Sequence, residues 1–289
     1  MSFDAFIETA WNDHGDRPGE IADRLEASTG VVAAPEHVAP FARIVIHVFG
    51  EHLGEWERGA RLLQSLRSLP AFDRSPAAEG AVARGIGALR YAEGDAQALE
   101  ALTEDDRIAA IATAAAAYAG LREFKRALAA YGHALALADA GLPSGSPALR
   151  ALAIGGNNLA IALEEKQDRD DAEERGMVTA AEAGLRYWKL AGTWLEEERA
   201  HYRLAKCLLA AGRPRDAVAS ARRCVDVCAR NDAPAFECFF GNAVLSIAHR
   251  TAGDAAAAEA SRRDALRWHE QVSEDERPWC RSDLDEMVG

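Results

Sequence analysis

Three cations, Arg199, Arg203 and Lys206, recur at intervals of four and three residues, which places them on one stripe if the segment is helical. Like charges so aligned repel, and nothing in folding rewards the arrangement. The stripe is therefore either a solvated face or a seat for an anion. Tyr202 lies among these cations, Arg250 follows on a later segment, and Asn157 and Asn158 precede them. An asparagine amide both donates and accepts, so it can satisfy the N–H and C=O of an extended peptide. Charge-assisted hydrogen bonds of this kind contribute about 1.5 to 3 kcal/mol each.

The remaining chemistry-bearing residues form no equally legible pattern. Glu198 and His201 have ExxH spacing, but a helical carboxylate metal centre needs a second such motif and further acids. His47 and His52 lie five apart and do not make HExxH. Cys224 and Cys228 are one turn apart, with Cys207 and Cys238 on neighbouring segments. A soft-metal site is open to them, as is plain packing, since cysteine behaves as a small hydrophobe. Gly85-Ile86-Gly87 is followed by Arg90 where a dinucleotide loop needs glycine, and no glycine precedes a lysine as a phosphate loop requires. There is no GxSxG elbow. Glu164 and Glu165 are adjacent and so diverge by about 100 degrees on a helix, a poor arrangement for paired acid–base work. The expectation is a chain without catalytic residues, metal or cofactor.

The elements that must position these residues follow from composition. Of 289 residues 63 are alanine and only 7% aromatic, so helix-favouring side chains greatly outnumber those that favour sheet, and an all-α chain is expected. Glycine and proline punctuate apolar-periodic segments at Gly15, Gly54, Pro70, Gly94, Gly141 to Pro147, Gly212, Pro234 and Gly253, which reads as a series of helix hairpins. The first residues have neither a basic flank nor an apolar core, and Ile108 to Gly120 is shorter than a membrane span. These features predict a cytoplasmic protein with no membrane association and reduced cysteines. The net charge of −13 opposes nucleic acid as a partner, although Arg199 to Arg250 carries a local excess of five positive charges.

Aligning the hairpins on their small residues gives Ala115, Ala160, Ala205 and Ser246, spaced by 45, 45 and 41. With Tyr118, Phe124, Ala127, Tyr131 and Ala134 in the first of these hairpins, and Ala217, Ala221 and Cys224 in the third, the chain resembles the tetratricopeptide repeat family. The second hairpin, with Asn157-Asn158-Leu159-Ala160-Ile161-Ala162-Leu163, has a first helix similar to those of the longer-repeat members found in kinesin light chains and maltose-activator-type regulators. The resemblance covers about Ile108 to Glu270. Before it, Phe41 to Leu69 and Ala77 to Leu102 read as hairpins in which His47, Gly59 and Leu99 stand where the family prefers alanine.

The resemblance implies a right-handed α-solenoid in three stretches: degenerate hairpins at 1–103, repeats at 104–270, and a capping helix at 271–289 introduced by a capping box at Ser273 to Glu276. First helices would line a concave groove. Peptide-binding members clamp a terminal carboxylate with an asparagine and two basic residues one turn apart, which Asn158, Arg199 and Arg203 match. The clamp's other lysine and asparagine are replaced here by Ala112 and Ala116. The implied function is a non-catalytic protein-interaction scaffold. Its site would comprise Asn157, Asn158, Arg199, Tyr202, Arg203, Lys206 and Arg250, and its partner an acidic or carboxylate-terminated segment. A sensor that binds a small molecule near Phe236, Phe239 and Phe240 and signals by forming a homodimer is the alternative.

Overall fold

In a computed structural model, which describes residues 2–288, the chain is all-helical. Met1 and Gly289, the outermost positions of the expected 1–103 and 271–289 stretches, lie outside the described residues. Two compact units divide between Leu159 and Ala160. The first holds α1 (Phe3–Asp13), α2 (Pro18–Ala27), α3 (Val38–Ile46), α4 (Trp56–Leu66), α5 (Pro76–Glu93), α6 (Glu104–Gly120), α7 (Phe124–Ala138) and most of α8 (Pro147–Glu164). The second holds α9 (Asp171–Ala191), α10 (Trp194–Ala210), α11 (Pro214–Arg230), α12 (Ala235–Thr251), α13 (Ala255–His269) and α14 (Arg281–Val288). Among the described residues no helix is long and apolar enough to cross a membrane.

Local signals account for most of these boundaries. The Ser75 and Thr103 hydroxyls cap α5 and α6 by accepting backbone N–H groups, and Asp170 and Thr193 open α9 and α10 with capping boxes closed by Glu173 and Glu196. Pro18, Pro76 and Pro214 occupy first turns, where the missing N–H is no loss. Gly94 terminates α5 with φ near +114°, a conformation that costs glycine nothing.

Two expectations are corrected. Ala77 to Leu102 is not a hairpin: α5 occupies it alone, and the few residues between Gly94 and the Thr103 cap form only a 3₁₀ turn, Ala96–Leu99. The capping box at Ser273 to Glu276 starts no helix, although the Ser273 hydroxyl does donate to Glu276 Oε2 at 2.6 Å. A helix begun there would require an N–H from Pro278 to the carbonyl of Glu274, and proline has none. The chain instead takes a 3₁₀ turn, Arg277–Cys280, and only then forms α14.

The aligned small residues lie at helix contacts. Ala115, Ala160 and Ala205 have no exposed surface, and Ser246 is buried with its hydroxyl donating to the Ala258 carbonyl at 2.9 Å. Ala205 of α10 packs in one cluster with Ala221 of α11 and Val244 of α12. Adding three carbons at such a contact forces the helices apart or the side chain off its rotamer, at about 1 to 3 kcal/mol. Ala160→Leu and Ala205→Leu are therefore expected each to lower the unfolding free energy by that amount, read as a lower urea midpoint at unchanged slope; midpoints equal to wild type would place these residues away from the contacts.

Candidate functional site

The capping box at Thr193 sets the start of α10, and from there 3.6-residue periodicity carries Arg199, Tyr202, Arg203 and Lys206 onto one face. The second unit matches each with an internal partner. Arg199, exposed, pairs through its guanidinium with buried Glu237 of α12, with Nε 3.3 Å from Oε2. Arg203 Nη1 meets Glu164 Oε2 at 2.9 Å. Lys206 reaches Glu286 of α14, and the Tyr202 hydroxyl donates to Asp283 Oδ1 of the same helix at 2.8 Å. Arg250 of α12 donates to the main-chain carbonyls of Glu286, at 2.6 Å, and Met287, at 3.4 Å. These last two carbonyls lie in the final turn of α14, where no intrahelical N–H is available and a cation is favoured.

The stripe is thus neither fully solvated nor open. The side chains of Arg203 and Lys206 keep only 19% and 13% of their exposure, which separates these pairs from the weak surface class. Burial is the main effect that pushes the Asp283 carboxyl above its ordinary range, and Lys206 opposes it; burial, followed by the Asp283 charge, pushes the Tyr202 phenol well up. The phenol is therefore the donor and Asp283 the acceptor. Removing one partner of such a group leaves the other buried and unsatisfied, at several kcal/mol.

Phe236, Phe239 and Phe240, around which the sensor alternative places its ligand, pack in one hydrophobic cluster of the second unit. Phe239 is fully buried, Phe236 and Phe240 stack edge-to-face at 5.0 Å, and the cluster is completed by Cys280, Leu284 and Met287 from the C-terminal segment. A cavity of about 410 Å³ lies elsewhere, lined by Trp188, Trp194, Glu197 and Arg230 among others.

Behind the stripe, Glu198 and His201 face α11 as buried residues. Glu198 Oε1 accepts from the Cys224 thiol at 2.8 Å, while Oε2 has no protein hydrogen-bond partner. Desolvation by burial pushes Glu198 up to about 9, so it is protonated at neutral pH. His201 Nδ1 lies 3.4 Å from the Ser220 hydroxyl, and burial, reinforced by Lys189, pulls this imidazole down to about 4. All five cysteines are reduced and buried, and burial pushes Cys207 and Cys238 up to about 12, away from the thiolate form that chemistry requires.

In the first unit Asn157 and Asn158 are half-buried on α8. The Asn158 amide donates to Glu51 Oε2 at 3.3 Å, and Glu51 Oε1 lies 3.0 Å from His47 Nδ1. Residues His47–Leu53 form a π-helix, closed by Gly54 in the left-handed region. Five residues along an α-helix turn about 140 degrees away from the start. The wider i→i+5 turn instead brings His47 and His52 together, with Nε2 atoms 3.2 Å apart. His14 of α1 completes the group, its Nε2 2.9 Å from that of His47. Burial pulls both His14 and His52 below the usual imidazole value. Sequence reasoning missed this triad because it assumed α-helical spacing. The five-residue interval between two histidines, with Gly50 inside it and Gly54 just after it, was the available signal.

The buried acid and imidazole make stability depend on pH in opposite directions. Folded Glu198 keeps its proton up to about 9, whereas the unfolded group releases it near 4.5, so stability falls as pH rises through that interval. His201 is neutral when folded down to about 4 but binds a proton below 6.5 when unfolded, so its contribution is complete above 6.5 and is lost as pH falls toward 4. The slopes oppose below 6.5, and only that of Glu198 persists above it. From pH 6.5 to 8.5 urea denaturation is expected to show stability decreasing by up to about 1.4 kcal/mol per pH unit, and Glu198→Gln is expected to flatten the decline; the same slope in the variant would assign it to another group. Comparison of the chain with protein-family models and with curated proteins found no match in either.

Proposed function

We propose that the protein is a non-catalytic, cytoplasmic helical-repeat scaffold, a right-handed solenoid of the tetratricopeptide type, that recognises an acidic helical segment on the stripe of α10 and α12. The observation that carries the reading is the set of bonds to α14: Tyr202 to Asp283, Lys206 to Glu286, and Arg250 to the terminal carbonyls. An acidic helix held by a hydroxyl in its first turn, and by an ammonium and a guanidinium toward its C-terminal end, supports the reading of what the surface selects. In this reading α14 is an internal occupant, and a partner carrying a similar segment displaces it. Tyr202, Lys206 and Arg250 form the contact, while Arg199 and Arg203, tied to Glu237 and Glu164, hold α10 in register with its neighbours. Asn157 and Asn158 are not assigned to it.

A fluorescein-labelled peptide spanning Arg277 to Val288 tests this in trans. Asp283→Asn/Glu286→Gln weakens the internal helix and is expected to raise peptide affinity at least about tenfold over wild type, the equivalent of 1.4 kcal/mol. Adding Lys206→Glu to that variant is expected to abolish the gain. Equal affinity in all three proteins, each shown to be folded by circular dichroism, counts against the reading.

A further inference from the structure

We propose that His14, His47 and His52 form a binding site for a divalent transition-metal ion of the zinc type, coordinated through their three Nε2 atoms. The site lies in the first unit and is independent of the acidic-segment reading.

The geometry carries the assignment. One ring nitrogen from each histidine lies within 4.8 Å of the other two, with His14 Nε2 to His47 Nε2 at 2.9 Å and His47 Nε2 to His52 Nε2 at 3.2 Å. Two nitrogens at 2.0 to 2.1 Å from a tetrahedral ion stand about 3.3 to 3.4 Å apart, so small ring movements suffice to admit one. The other ring nitrogens decide where the protons are. His14 Nδ1 lies 2.6 Å from the Trp11 carbonyl, which can only accept, and His47 Nδ1 lies 3.0 Å from the Glu51 carboxylate. Both Nδ1 atoms are thus placed to donate, and in that tautomer each ring turns its Nε2 toward the other. Two lone pairs at 2.9 Å repel unless a cation sits between them. A proton can bridge only two of them, whereas a shared divalent ion satisfies all three nitrogens at once.

The surroundings match the requirements of histidine ligation. Metal-bound imidazoles usually donate their second N–H to a carbonyl or a carboxylate, which orients the ring and raises its basicity. His14 and His47 have one of each, and Asn158 holds the second oxygen of Glu51. The Trp11 ring lies 5.2 Å from His14 and 5.0 Å from His47 and walls the group. Gly120 lets α6 close on the π-helix, because a Cβ there would meet the Glu51 carbonyl oxygen at 2.5 Å. The rings are half-buried, so an ion can enter and a water can supply a fourth ligand. Three imidazoles suit zinc, cobalt, nickel or copper and not calcium or magnesium.

Titration of the full-length, chelator-treated protein with Co²⁺ tests the site. One ion per chain is expected, with visible d–d absorption, no sulfur-to-cobalt charge-transfer band, and displacement by Zn²⁺ that also raises the thermal midpoint. His47→Ala and His52→Ala are expected to weaken binding by at least about 100-fold, and Glu51→Gln, which keeps all three ligands, by about 10- to 100-fold. No stoichiometric uptake by the wild type overturns the proposal, as does a charge-transfer band, which would assign the ion to the buried cysteines, or unchanged affinity in folded histidine variants. The wild-type spectrum decides the matter even if a variant fails to fold.

Discussion

Close approach between helices is the constraint on which the rest of the structure depends. Ala115, Ala160 and Ala205 keep no exposed surface and Ser246 almost none, and each presents only one or two side-chain heavy atoms to its neighbours. Close-packed interiors transmit any added volume into backbone displacement. At Gly120 the limit is stricter, because the Glu51 backbone fills the place of a Cβ. That contact matters beyond stability: it seats the π-helix that presents two histidines and the carboxylate behind one of them.

Tight packing of a polar sequence raises a second demand, that every cation drawn toward the interior find an acceptor. The second unit meets it from elements distant in sequence. Lys206 and Tyr202 find Glu286 and Asp283 some eighty positions away, and Arg250 closes the end of the helix that carries them. The same helix contributes Leu284 and Met287 to the aromatic cluster around Phe239, so its apolar and acidic faces are both satisfied in one placement. Glu198 is the exception. Burial keeps it neutral, and it accepts from a thiol, as a carboxyl denied water must.

Legibility in the sequence followed the range of the interaction. Helix content, the breaks at Gly54, Gly94, Gly212 and Gly253, and the burial of the aligned alanines were readable because propensity, capping and 3.6-residue periodicity act within a turn or two of the chain. The same rules misled at Ser273, where a valid capping pair was defeated by Pro278, and at Ala77 to Leu102, where periodicity outran the residues available for a second helix. Arg199, Tyr202, Arg203 and Lys206 were correctly placed on one face of α10; what faces them was not readable.

The sequence by itself determined that this protein is all-helical, where its glycine-marked helices stop, and which small residues are buried among them, since those properties reside in local backbone preference and side-chain volume. Only the tertiary structure decided that the basic stripe is matched by Glu164, Glu237 and the chain's own α14, and that His14, His47 and His52 converge. Partner choice depends on which elements pack together, and the meeting of His47 with His52 depends on a π-turn that no α-helical period anticipates.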